Sequence, residues 1–252
     1  MTKHSDSPGF GGVPLPGLGP EEEFSLEAAR QRLGESFAPV PVPELAPADP
    51  ELDRAVAELR RLREATAALA HSEVELGDIA DRLAEVADLL EPRVPTPEQR
   101  LEMMWTGAGT RRSNPVGGQE NPIAPPVKFF GCDDGSVTAE VTLGPVYQGP
   151  PGCVHGGISA LIIDHMMGFA NHWGGRFGMT AHYEIDYRSP TPLLQPLTFR
   201  AWVEEFSGRK TWTHATIHAG DRLCVQARGL FLEASVPVPG KPGARSTIAD
   251  AP

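Results

Sequence analysis

Long apolar runs are missing from this sequence, and no stretch approaches the roughly 20 apolar residues that a membrane-crossing helix needs. Met1 to Gly19 set no apolar segment behind a basic start, so no secretion signal is read there. Cysteine is scarce. Cys132, Cys153 and Cys224 are odd in number and widely spaced, fitting neither a disulfide framework nor a CxxC metal pattern. A reducing, cytoplasmic setting without a metal is the expectation. Basic charge is short as well: 22 Lys and Arg stand against 33 Asp and Glu, for a net of −11. That balance offers no basic face of the kind nucleic acid requires. The acidity is also local, since residues 1–92 hold 19 acidic and 8 basic side chains, whereas residues 93–252 hold 14 of each. The neutral C-terminal part leaves room for a small Arg/Lys cluster on an anionic ligand.

Glycine and proline are plentiful, at 27 and 26 residues, and they divide the chain. Residues 1–48 are broken by seven prolines between Pro14 and Pro47, carry the acidic run Glu21–Glu23, and read as a mostly disordered segment. Residues 49–92 read as a helical hairpin. Asp49-Pro50 is a helix start, followed by Leu52, Val56, Leu59, Leu62, Ala65 and Leu69 on one face, opposite a side rich in Arg and Glu. Ser72 and Glu75 form a capping-box pattern for a second helix, whose stripe Leu76, Ile79, Leu83, Val86 and Leu90 ends at Pro92. Packing against the neighbouring helix or the main domain is the expected use of both stripes, with a membrane-surface or partner-protein role as the alternative. Residues 93–126 form a turn-rich connector.

Residues 127–235 change to period two. Val137, Ala139, Val141 and Leu143 alternate with polar residues, and Asp134-Gly135 joins this strand to Val127–Asp133 as a hairpin. Further strands are expected at 179–188, 197–206, 210–219 and 223–233, in an antiparallel meander. Between them, Gly156 to His172 is apolar on nearly every side and predicts a buried helix, giving an α+β fold with a sheet curled around it. Residues 236–252 read as a flexible tail.

Asp164 stands out in that helix, among Leu161, Ile162, Ile163, Met166 and Met167. An ionised carboxylate in such company needs a partner or a cavity. Position alone leaves two roles open, a general base or a buried carboxylate bonded to an amide or Arg. The helix is approached through Tyr147-Gln148-Gly149-Pro150-Pro151-Gly152-Cys153-Val154-His155-Gly156-Gly157. Glycines let the backbone come close to a ligand, and first-turn N–H groups lack intrahelical partners, which suits an oxyanion. Yet Gly156 and Asp164 are eight residues apart, about 12 Å along a helix axis, too far to meet at one atom within one straight helix.

Taken together, Val146–Gly168 and Met179–Pro192 resemble the hot-dog-fold acyl-CoA thioesterases of the phenylacetyl-CoA type, a branch of the 4-hydroxybenzoyl-CoA thioesterase superfamily. The likeness rests on His155-Gly156-Gly157, Asp164 nine residues after the His, Thr180-Ala181, Tyr187-Arg188-Ser189-Pro190-Thr191-Pro192 and Gly208-Arg209-Lys210. It spans about residues 127–235 and leaves residues 1–92 unaccounted for. The resemblance implies hydrolysis of an acyl-CoA thioester without a cofactor, in a homodimer or dimer of dimers paired edge to edge, with sites at the interface. It implies Asp164 as base or nucleophile, His155 orienting substrate or water, the amides of Gly156 and Gly157 polarising the carbonyl, and Thr180 positioning water. Arg188, Arg209 and Lys210 become candidates for the CoA phosphates, and Met167 for the acyl pocket. Two alternatives share the fold: an acyl-thioester dehydratase or hydratase, against which the His–Asp motif speaks, and a non-catalytic acyl-CoA-binding regulatory module, which has no need of a buried carboxylate.

Overall fold

A computed structural model describes residues 50–69, 75–100, 113–233, 235–237 and 245–247; the segment expected to be disordered, 1–48, lies outside the described residues. Helix α1 (Pro50–Ala68) begins at the expected proline. Helix α2 (Gly77–Leu90) is preceded by Leu76, which makes no side-chain cap, and Ser72 of the capping-box pattern is outside the described residues. A 3-10 turn, Glu91–Arg93, with Pro92 inside it, ends the helix. No helix among the described residues is long and apolar enough to cross a membrane.

The two helices do not share one fate. Val56 of α1 is buried, and beside it Arg60 Nη2 donates to the carbonyls of Gly118, Gln119 and Asn121 at 2.9–3.1 Å. Arg63 reaches the Pro122 carbonyl at 2.7 Å and the Tyr147 hydroxyl at 3.0 Å. The arginines read as solvent-facing therefore dock α1, because a guanidinium fork suits a loop lined with carbonyls. Helix α2 buries none of its residues, and its apolar stripe stays open.

Six strands form one antiparallel sheet: β1 (Lys128–Gly131), β2 (Val137–Thr142), β3 (Met179–Tyr187), β4 (Pro196–Ser207), β5 (Lys210–Ala219) and β6 (Arg222–Leu232). The β1–β2 turn uses Gly135 at φ 82°, a conformation that favours glycine. The order across the sheet is β1-β2-β4-β5-β6-β3. Only β4, β5 and β6 follow the expected meander; β3 crosses to the far side and pairs with β6, with its other edge unpaired among the described strands. Helix α3 (Gly156–Trp173) fills the concave face, burying Ile162, Ile163, Met166, Met167 and Ala170 against Phe199, Ile217 and Val225. This is the hot-dog arrangement. The helix is not buried all round, however: Gly157 and Leu161 are exposed and Asp164 and Gly168 half-buried, forming an open stripe on one face. From the last residue of the expected domain into the stretch read as a flexible tail, β7 (Ser235–Pro237) and β8 (Arg245–Thr247) pair antiparallel.

Candidate active site

The glycine-rich approach to α3 is a laced loop. After the 3-10 turn Pro145–Tyr147, Gln148 bridges Val154, the Gly149 N–H donates to the Cys153 carbonyl at 2.9 Å, and the His155 N–H donates to the Tyr147 carbonyl at 2.8 Å. Gly149 lies so close that a Cβ there would stand 2.7 Å from the His155 Cα, which only glycine avoids. The Val154 N–H is held by the Thr191 carbonyl at 2.8 Å, tying the loop to the motif after β3.

His155 then caps the helix. Its Nδ1 accepts the Gly157 N–H at 3.0 Å, so in the neutral ring the proton sits on Nε2 and faces outward as a donor. The Gly157 amide is thereby committed to the ring. The Gly156 N–H, at the positive end of the helix, has no acceptor among the described residues. The Gly156 carbonyl accepts from the Tyr187 hydroxyl at 2.9 Å, and a Cβ at Gly156 would press on that hydroxyl at 3.2 Å. Sequence reasoning quoted Tyr187 as part of a motif and gave it no role.

Two turns further on, Asp164 meets Thr180, whose Oγ1 donates to Asp164 Oδ1 at 2.7 Å. Tyr183 lies close enough that burial first, then the charge of Asp164, raises its hydroxyl above the ordinary range. On the other flank His165 sits 5.4 Å from the Phe129 ring, and burial holds its imidazole below the ordinary range against the opposing pull of Asp164. Asp164 and Thr180 are thus brought together, as are His155, Gly156 and Gly157, while the two groups remain at different turns of α3.

Met167 is fully buried and packs on Gly229, where a Cβ would come within 3.0 Å of its Cε. The three cationic candidates do not converge. Lys210 is in register with Leu232 and Met179 at one end of the sheet, and Tyr187 with Val225 at the other. Eight residues of strand, roughly 26 Å at 3.3 Å each, therefore separate Arg188 from the Arg209–Lys210 turn. Arg188 is also paired with Asp186 at 2.9 Å.

A helix-wrapping antiparallel sheet with a carboxylate and a glycine-bounded helix start on its open face is the arrangement expected of the thioesterase class of this fold. Comparison bears this out: the Thioesterase superfamily profile matches residues 151–226. A thioesterase superfamily protein of known crystal structure is 44% identical, over 74% of this chain and 93% of that chain, with a TM-score of 0.66. The chain belongs to the thioesterase superfamily. Among curated proteins, the acyl-coenzyme A thioesterase THEM4 of Rattus norvegicus is 40% identical over 88 residues, 34% of this chain and 38% of that protein. The THEM4 of Xenopus laevis is 36% identical over 92 residues, 36% and 41% of the two chains. The chain thus spans less than half the length of these curated relatives.

Proposed function

We propose that this chain hydrolyses an acyl-CoA thioester to the free acid and CoA, with Asp164 as its reactive carboxylate. The observation that carries the reading is the Thr180–Asp164 hydrogen bond of 2.7 Å on the open stripe of α3, two turns along from a helix start whose Gly156 N–H is free to receive an oxyanion. The thioester carbonyl oxygen takes the Gly156 N–H, with His155 Nε2–H oriented toward it or toward water. Asp164 then either removes a proton from water as the water oxygen attacks the carbonyl carbon, or attacks the carbon itself and is released by water. Collapse of the tetrahedral intermediate breaks the C–S bond, and the thiolate leaves to take up a proton.

The site is read as shared between two copies. Strand β3 crosses α3 with Thr180 near Asp164 and Tyr187 near Gly156. An antiparallel copy of β3 on its open edge sets the Tyr187 end of one chain against the Thr180 end of the other. That pairing supplies Asp164 with a helix start from the neighbour, which the 12 Å spacing within one chain denies it. It also moves Arg188 to the end of the composite sheet that holds the neighbour's Arg209 and Lys210, where CoA phosphates need cations. The unpaired edge and the exposed Leu161 support this dimer. A cytoplasmic setting accords with the three free cysteines, and a place in fatty-acid metabolism rests on the acyl-CoA substrate alone.

The test is release of free thiol from short, long and aromatic acyl-CoAs by the purified protein, beside Asp164→Asn. Hydrolysis of one class, lost in the variant, is the expected result. A folded Asp164→Asn protein working at the wild-type rate would overturn the assignment of Asp164. In a single turnover in ¹⁸O-labelled water, label in the Asp164 carboxylate marks it as the nucleophile, because a general base acquires none.

A further inference from the structure

Helix α2 and its N-cap Leu76 leave five apolar residues, Leu76, Ile79, Leu83, Val86 and Leu90, between 40% and 56% exposed. They follow one another at spacings of three, four, three and four. That is a heptad seam, with Leu76, Leu83 and Leu90 at its a positions and Ile79 and Val86 at d. Neither α1 nor the hot-dog domain buries it. Contiguous apolar surface of this kind on a folded chain marks an interaction site.

The charges around the seam decide what it accepts. In the same register Asp78, Asp81, Glu85, Asp88 and Glu91 fall at c, f, c, f and b, the positions that point away from a contact. One flank carries Ala80 and Ala87 at e, and the other carries Arg82 and Leu89 at g, with Glu75 at the g position just before the helix. A basic peptide would look for acids beside the apolar stripe, and an anionic lipid surface would look for bases; the seam offers neither. An acidic helix can meet its own copies only when its acids lie outside the contact, and here they do. Leucine at a with β-branched residues at d favours more than two strands, and alanine flanks let neighbouring helices approach closely.

We infer that α2 is a self-association surface whose occupant is α2 of other copies of this chain, four of them forming a bundle that joins two hot-dog dimers. The five seam residues expose roughly 400 Å² per chain, so a single pair falls short of a specific interface, while four copies together bring about 1,600 Å². A helix of 14 residues is marginal by itself. The bundle therefore depends on the sheet-edge pairing proposed above, which holds two copies of α2 in one particle and raises their effective concentration.

The experiment is the light-scattering mass of the full chain at tens of micromolar, beside Leu83→Glu on the seam and Ala84→Glu outside it. Both substituted residues are exposed in the single chain, and far-UV circular dichroism checks that both variants fold. The expected masses are four 27.0 kDa chains for the unaltered protein and for Ala84→Glu, and two for Leu83→Glu. Equal masses of two chains for all three would overturn the α2 surface while leaving the sheet-edge dimer standing, equal masses of four would place the tetramer contact elsewhere, and equal masses of one would overturn both. A fall from two chains to one in Leu83→Glu would sink the sheet-edge dimer, and the four-helix bundle with it.

Discussion

Thr180→Val asks whether Thr180 and Asp164 act as one device. Valine keeps the β-branched shape that a strand favours and deletes only Oγ1, the donor 2.7 Å from Asp164 Oδ1. A hydrogen bond to a charged group is worth about 1.5–3 kcal/mol. At about 1.4 kcal/mol for each factor of ten, turnover should fall roughly 10- to 150-fold. Asp164→Asn keeps the shape but removes the charge and the basic oxygen, and should cost about 10²–10⁴-fold. The double variant decides between mechanisms. If Thr180 acts only through the carboxylate, adding Thr180→Val to Asp164→Asn costs nothing further, and the coupling energy equals the whole single-variant loss. Independent roles would multiply the losses, to roughly 10³–10⁶-fold. The assay is saturating thiol release from the best acyl-CoA, with melting temperatures measured on the same preparations. Multiplied losses at unchanged melting temperature would refute the pairing of the two residues. A melting temperature that falls with activity preserved in the folded fraction would make the bond a structural one.

Gly149→Ala should lower both melting temperature and turnover, because its Cβ would stand 2.7 Å from the His155 Cα. Gly152→Ala, with φ 73° and open space around it, should cost only about 1 kcal/mol of backbone strain and leave turnover alone. Arg63→Met should destabilise by about 1–3 kcal/mol and slow turnover, since Arg63 holds Tyr147, whose carbonyl anchors His155; Arg63→Lys, lacking the fork, should restore neither in denaturant titration and thiol release. His165 has a folded pKa depressed by burial below 6.5, so the unfolded chain takes up its proton first, and stability is lost as pH falls below about 6.5 toward the folded value. Melting curves from pH 7 to 5 should accordingly be flatter for His165→Gln than for the unaltered protein. Deleting residues 1–48 should leave thiol release intact, and its loss would move the functional boundary upstream.

Within residues 127–233, strand and helix limits were legible to within a residue or two because the physical pattern is local, whereas the second helix begins at Gly77, several residues after the expected Ser72 cap. Alternation over Val137–Leu143 marks a half-buried strand wherever it pairs, and Gly156 starts a helix whatever packs on it. The sheet order was not legible, since β3 carries the same signal beside β4 or beside β6, and only tertiary packing chooses. The docking of α1 was misleading for a different reason. Arg60 and Arg63 read as a solvated face by charge, but five N–H donors each make them good ligands for the carbonyls of Gly118, Gln119, Asn121 and Pro122. The stripe on α2 was legible as a stripe, and its spacing could not say whether the contact lay within the chain or between chains.

Within the site, the spacing from His155 to Asp164 marked both residues, but the means by which Asp164 is met could not be read from period two. Tyr183 and Ile185 pack against the core, and Tyr187 reaches Gly156, so the odd-numbered residues of β3 face α3. Thr180 is even-numbered and on an unbroken strand would point away from Asp164. The ladder slips between Thr180 and His182, leaving Ala181 as an extra residue, and this bulge turns the Thr180 hydroxyl onto the helix side. Bulges are set by the pairing of two strands, and a reading of one strand at a time has no access to them. The same limit applies at the level of the chain. Gly156 and Asp164 lie on one helix too far apart to share an atom, and in the dimer proposed above a second copy of β3, antiparallel to the first, would offer each carboxylate the helix start of its neighbour.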